Sequence, residues 1–358
     1  MEGIVNKRYD DGMAFMLKYE NVAWYENGEV RILDRRVYPA ETRFVKCTDY
    51  KEVAKAIADM VTQSAGPYTA AGMGMALAAH QCRNLGRAEQ AAFLKEAAYC
   101  ISHARPTTVK RMEAVTSGCL QAAFQELDAG NAGEAAASAV FNRTLESLER
   151  RYRIMSLVGE NLADQIPDGG TILTQCFGET IIGTALRACR SRGNAIKVIC
   201  AETRPYLQGA RLTASCAYDM GFDTTVITDN MTGFAMEKMN VDIFTSAADT
   251  IAADGYIANK IGTKQMAILA KHYNIPYFVT GIPDGEDVLG ENIIIEMRNP
   301  EEVLWAGGKK HTMEGVKSVY PAFDITPPEL ISGIVTDRGT FNPKELDLYF
   351  KRGQVEFY

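Results

Sequence analysis

Two residues have the type and placement to move protons. Cys176 follows the β-rich run 171–174 and precedes Phe177-Gly178. A thiol at the C-terminal end of a strand, beside a helix start whose dipole favours a thiolate, is placed as an acid/base or a nucleophile. The competing reading is a small buried thiol that ends a strand. Asp249 closes the run 241–248 among small residues. A carboxylate drawn into a poorly solvated crevice has its pKa raised towards neutrality, as general acid/base work requires; the alternative is an N-cap for a helix over 250–253. Glu202, Arg204, Gln208 and Arg211 cluster just past another strand, and Asn259-Lys260-Ile261-Gly262-Thr263-Lys264 combines a helix start with two lysines. Charged residues mostly form a solvated face, but their concentration at strand ends points to a small anionic ligand.

Other chemistries lack their motifs. Gly72-Met73-Gly74 is the nearest approach to a dinucleotide fingerprint, and it fails at the sixth position in an alanine-rich helical context. Neither GxxxxGK[ST] nor GxSxG occurs, and His80, His103, His272 and His311 do not pair at metal-ligand spacing. Neither a cofactor nor a metal is expected. The eight cysteines are scattered without CxxC spacing and read as reduced thiols, mostly buried, of which at most one or two do chemistry.

The elements that position these residues fall into two textures. Short alternating segments at 22–25, 30–33 and 44–47 predict a small antiparallel sheet. From about 50 to 153 the apolar spacing is helical, with Val53, Ile57 and Met60/Val61 on one stripe. After Pro167-Asp168-Gly169-Gly170, nearly continuous apolar runs at 171–174, 196–200, 224–228, 241–245 and 277–280 alternate with helical stretches. Such runs suit a parallel sheet covered on both faces. The expected fold is α/β: an N-terminal helical domain with a small antiparallel sheet over 1–150, then a Rossmann-like, doubly wound parallel sheet over 151–358. That architecture gathers ligands at the carboxyl ends of its strands.

A length of 358 residues favours two domains at roughly 100–200 residues each. With 38 basic against 45 acidic residues the net charge is −7, so no global field draws a nucleic-acid backbone. No apolar run approaches the ~18 residues of a membrane span, and the first 19 residues are too charged for a signal-peptide core. A cytoplasmic protein without nucleic-acid or membrane partners is expected.

The segments Glu202 to Thr213, Ile227-Thr228-Asp229-Asn230-Met231, Ala248 to Gly255 and Ala258 to Thr263 resemble the methylthioribose-1-phosphate isomerase family, relatives of the regulatory subunits of the translation initiation exchange factor and of archaeal ribose-1,5-bisphosphate isomerases. Ala104-Arg105-Pro106-Thr107-Thr108-Val109, Ile172-Leu173-Thr174-Gln175-Cys176, Ile295-Glu296-Met297-Arg298 and 321–327 extend the match, which spans about 22 to 339. The resemblance implies a homodimer that converts an aldose 1-phosphate to a ketose 1-phosphate without a redox cofactor, as in methionine salvage. By position it implies Cys176 and Asp249 as catalytic, and Arg105, Gln208, Asn259 and Lys260 as holding the sugar and its phosphate. It also leaves a second possibility, a non-catalytic module that senses sugar phosphates or nucleotides; retention of both Cys176 and Asp249 argues against it.

The chain departs from the family pattern in the binding shell. Where an Arg-Gly-Ala-Pro loop is usual, 62–69 reads Thr-Gln-Ser-Ala-Gly-Pro-Tyr-Thr, without arginine. Phe177 and Glu179 follow the cysteine, Thr250 replaces an arginine and Tyr256 an aspartate. A kept catalytic pair with an altered shell implies a changed sugar rather than a lost activity.

Overall fold

The computed structural model describes residues 8–105, 109–131 and 133–353. Among them the chain divides into two compact units, one running to Arg153 and the other starting at Ile154.

In the first unit, α1 (Tyr19–Val22) leads into an antiparallel sheet of β1 (Ala23–Glu26), β2 (Glu29–Leu33) and β3 (Phe44–Cys47), in that order. Five longer helices follow: α2 (Tyr50–Ala58), α3 (Gly66–Cys82), α4 (Arg87–Ser102), α5 (Val109–Asp128) and α6 (Ala135–Ala163), whose last turns belong to the second unit. A capping box starts α2: the Asp49 side chain accepts from the Lys51 amide at 2.7 Å while Glu52 reaches back to the Asp49 amide at 3.2 Å. Helix α3 is buried almost all round, and Gly72 shows why it carries so little side chain. A Cβ there would stand 2.5 Å from Thr144 Cγ2. The Gly72-Met73-Gly74 run is thus a helix-packing feature.

In the second unit, a seven-stranded sheet is built from β4 (Thr171–Gln175), β5 (Lys197–Ala201), β6 (Asp223–Ile227), β7 (Ile243–Ala247), β10 (Tyr277–Thr280), β14 (Gly333–Thr336) and β15 (Gly339–Phe341). Its order is β15-β14-β10-β7-β4-β5-β6, and every pair is parallel except β14 with β15. Without the antiparallel edge strand, the parallel strands numbered by sequence lie in the order 3-2-1-4-5-6, the Rossmann arrangement. The inner strand β4 is buried along its whole length, which its apolar run requires. Helices α7 (Glu179–Ser191), α8 (Ala214–Asp219), α9 (Thr232–Lys238) and α10 (Thr263–His272) follow β4, β5, β6 and β9.

Elements absent from the sequence reading surround this sheet. A three-stranded antiparallel sheet of β13 (Phe323–Thr326), β9 (Ile257–Lys260) and β8 (Thr250–Ile251) is one. The hairpin of β11 (Trp305–Ala306) and β12 (Lys309–Lys310) is another, and the short helices α11 (Glu301–Leu304) and α12 (Asp347–Phe350) complete the set. No described helix is long and apolar enough to cross a membrane.

Candidate active site

The chain lays β4 first, moves outward through β5 and β6, then returns to add β7 on the other flank of β4. A reversal of this kind opens a crevice past the carboxyl ends of the two strands that flank it. Gln175 of β4 lies opposite Ser246 of β7. The next residue of the first strand is Cys176, and two residues past the end of the second is Asp249. The two candidates therefore border one switch point, near enough that the Asp249 charge helps push the Cys176 thiol up.

Cys176 sits in the left-handed region at φ 60°, as do Glu179 (31°), Thr203 (64°) and Leu207 (57°) nearby. Non-glycine residues persist there, at a cost on the order of 1–3 kcal/mol each, only where their surroundings over-determine them. Here hydrogen bonds do so. The Cys176 amide donates to Thr203 Oγ1 at 3.0 Å, the Cys176 carbonyl accepts from the Thr213 hydroxyl, and the Thr203 amide donates to Asp229 Oδ1 at 2.8 Å. The residue keeps partial exposure in the crevice wall. Burial pushes its thiol up to about 11, outweighing the opposing pull of Lys260, the Phe177 amide and Arg298. The expected dipole-favoured thiolate is corrected: desolvation wins, and the thiol keeps its proton at neutral pH.

Asp249 differs from its expectation as well. It is exposed, and no helix follows it to be capped. Its amide donates to the Ala258 carbonyl at 2.9 Å, and the chain runs on into β8, which turns back as β9. A hairpin thus starts where the helix was expected, with Asp249 exposed at its mouth.

Gln208 lies past β5, buried, with Oε1 lacking a hydrogen-bond partner. A π-helical turn, Gly209–Thr213, follows it. A Cβ at Gly209 would overlap the Ala201 carbonyl oxygen, so only glycine brings this turn against the end of β5. Asn259 and Lys260 occupy β9, opposite Asp324 and Phe323 of β13, and both are buried. The helix start expected in 259–264 is that of α10 at Thr263, after Gly262 at φ 99°, and Asn259 and Lys260 lie on the strand that leads to it. Asp324 accepts from the Gly262 and Lys264 amides at 2.8 and 3.0 Å, and burial raises its pKa. Asn259 Nδ2 donates to Thr263 Oγ1 at 3.0 Å, and Gln175 Nε2 donates to the Ile261 carbonyl at 3.0 Å. The latter bond ties the end of β4 to the turn after Lys260, whose ammonium draws the Cys176 thiol down against burial.

Arg105 belongs to the first unit, just beyond α4, and the next part of its motif, 106–108, lies outside the described residues. The arginine-free loop 62–69 is in the same unit, and two buried arginines bind it from behind. Arg35 donates to the Gln63 carbonyl at 2.7 Å, and Arg151 to the Ala65 carbonyl at 3.1 Å and Thr69 Oγ1 at 3.0 Å. One residue by the crevice was missed as a site residue: Arg298, from the irregular segment after β10, which also acts on the Cys176 thiol.

The model of the initiation factor 2 subunit family matches residues 64–343. The chain belongs to that family. A methylthioribose-1-phosphate isomerase of Thermotoga petrophila is 37% identical over 91% of this chain and 96% of its own. Two crystal structures are similar at 30% identity over 92% of this chain. One is the 5-methylthioribose 1-phosphate isomerase of Pyrococcus horikoshii OT3, with a TM-score of 0.80 and 94% of its chain covered. The other is the translation initiation factor eIF-2B, subunit delta, of A. fulgidus, with a TM-score of 0.81 and 98% covered. One fold thus carries two different names, and the site must separate them.

Proposed function

We propose that the chain is an aldose–ketose isomerase that converts S-methyl-5-thioribose 1-phosphate, or a close deoxy or thio variant, to the ketose 1-phosphate. The observation that supports this reading is the placement of Cys176 and Asp249 just past the ends of the neighbouring strands β4 and β7, near enough for the Asp249 charge to act on the thiol. A module that only senses sugar phosphates has no use for that pair, and the 37% identity to a curated isomerase also favours the enzyme.

The 1-phosphate blocks a free aldehyde, so the furanose must open by protonation of the ring oxygen as the C1–O4 bond breaks. Hydrogen with its electron pair then moves from C2 to C1, and the 2-hydroxyl loses its proton as C2 becomes the carbonyl. One proton enters at O4 and one leaves from O2, so the reaction balances without a redox partner. Asp249, open to solvent, exchanges the oxygen-linked protons. Cys176, protonated at neutral pH, packs against the C1/C2 side. A thiol that holds its proton is a poor base for the C2 hydrogen, which favours direct transfer between the carbons. Gln208, Asn259 and Lys260 hold the sugar and its phosphate, with Arg105 as a further phosphate ligand.

The enzyme works in the cytoplasm as a homodimer, without nucleic-acid or membrane partners. The acidic balance speaks against a nucleic-acid partner, and the exposed apolar side chains of Tyr218, Val226, Met231 and Phe234 support self-association. The test is proton NMR of methylthioribose 1-phosphate, 5-deoxyribose 1-phosphate and ribose 1,5-bisphosphate incubated with the wild type and with Cys176→Ala or Asp249→Asn. Ketose from the wild type, formed at least a hundredfold more slowly by Asp249→Asn and also slowed in Cys176→Ala, supports the reading. Tight binding of a sugar phosphate without any product overturns it.

A further inference from the structure

Beside the crevice, the backbone carries one cation that the assigned binding set does not include. Residues 296–298 pair with 320–322: the Arg298 amide donates to the Tyr320 carbonyl at 2.9 Å, and the Ala322 amide to the Glu296 carbonyl at 2.8 Å. Phe323, next along, lies opposite Lys260 in the β13–β9 register. This pairing brings Arg298 and Lys260 to a shared ring. Lys260 Nζ is 4.6 Å and Arg298 Cζ 5.7 Å from the Phe323 centroid, and the same guanidinium stands 5.5 Å from the Tyr206 ring.

One edge of the guanidinium is already occupied. Nε donates to Glu296 Oε1 at 2.9 Å, and Nη2 reaches Oε2 at 3.5 Å. The side chain is only 8% exposed, yet Nη1 is buried without a hydrogen-bond partner. So is the Tyr320 hydroxyl, a close neighbour of the guanidinium, which favours its ionised form against burial. A buried charged donor left over after its carboxylate has been satisfied is costly in the free protein, and an anion bound beside it removes that cost. A guanidinium fixed on one edge by a carboxylate and flanked by rings is also pre-organised, so little entropy is lost when it binds.

We propose that Arg298 is a second cation for the phosphate of the bound sugar phosphate, donating from Nη1 with the Tyr320 hydroxyl as a companion donor and Glu296 fixing the fork. The assignment rests on the sugar-phosphate reading above for the identity of the anion.

The test uses inorganic phosphate as the probe, with equilibrium binding by calorimetry on the full chain, alongside KM and kcat for methylthioribose 1-phosphate. In Arg298→Met the phosphate Kd is expected to rise about ten- to a hundredfold, with KM rising in parallel and kcat changing less. Tyr320→Phe should weaken phosphate by about two- to tenfold. Arg298→Lys keeps the charge but not the fork, and should fall between the wild type and Arg298→Met. If Arg298→Met fails to fold, as judged by circular dichroism, the lysine and phenylalanine variants carry the test. Phosphate affinities within twofold of the wild type in the folded variants, or a loss confined to kcat, overturn the assignment. A wild type that binds phosphate through Arg298 but isomerises none of the sugar phosphates would instead overturn the reaction and leave this contact standing.

Discussion

The two strand ends at the switch point solve opposite problems. Past β4, Cys176 is fixed by backbone bonds in a left-handed conformation, its thiol desolvated and protonated beside two cations. Past β7, Asp249 stands in solvent at the mouth of a hairpin. The contrast separates two tasks. In the proposed reaction, proton exchange with water belongs to the exposed carboxyl, while the half-buried thiol lines the wall against the carbons between which hydrogen moves.

The comparison breaks first at the carboxyl. Asp249→Asn should lower kcat by about 10²–10⁴-fold, the usual worth of a general acid/base, with circular dichroism unchanged; a loss under tenfold would take the proton traffic elsewhere. Gly209→Ala probes the packing that brings Gln208 to the end of β5. With no room for a Cβ against Ala201, the variant should lose about 3 kcal/mol of stability in urea unfolding, and an unchanged midpoint would contradict that close approach. Solvent isotope sharpens the thiol's role. Run in D₂O, the reaction should yield ketose with little deuterium at C1 by NMR, whereas a thiolate base would wash solvent label into that carbon.

The smallest effect is on reactivity. With its pKa raised to about 11, Cys176 has on the order of one thiolate in a thousand at pH 8, against about a quarter for an ordinary thiol. Its alkylation by iodoacetamide, followed by peptide mass spectrometry, should still be climbing tenfold per pH unit above pH 9. A plateau near pH 8.5 would restore the thiolate.

The parallel sheet was legible because strands buried on both faces leave continuous apolar runs, as at 171–174 and 241–245; the rule that ligands lie at carboxyl ends put Cys176 and Asp249 among the residues past those strands, and the family resemblance marked them as the pair. Strand order was not legible, since no residue at the end of β4 announces that β7 will be its neighbour. The strand that holds Asn259 and Lys260 was not legible because a four-residue strand with a buried polar pair has no periodic signature, whereas the glycine and threonine after it do mark the helix start. The alanines after Asp249 suggested a helix that register with β9 converts to strand. Arg298 lies in a segment without period, and only the pairing of 296–298 with 320–322 brings it to Lys260. Its signal in the sequence was the quoted motif that contains it.

The central claim is that Cys176 and Asp249 act on one bound sugar as a unit, and a double-mutant cycle measures this most directly. Turnover of methylthioribose 1-phosphate by Cys176→Ala, Asp249→Asn and the double variant should show that the double is no worse than the more damaged single, since either loss already disables the shared step. Losses that multiply would contradict the claim, because they would mean two residues contributing to the transition state independently of each other.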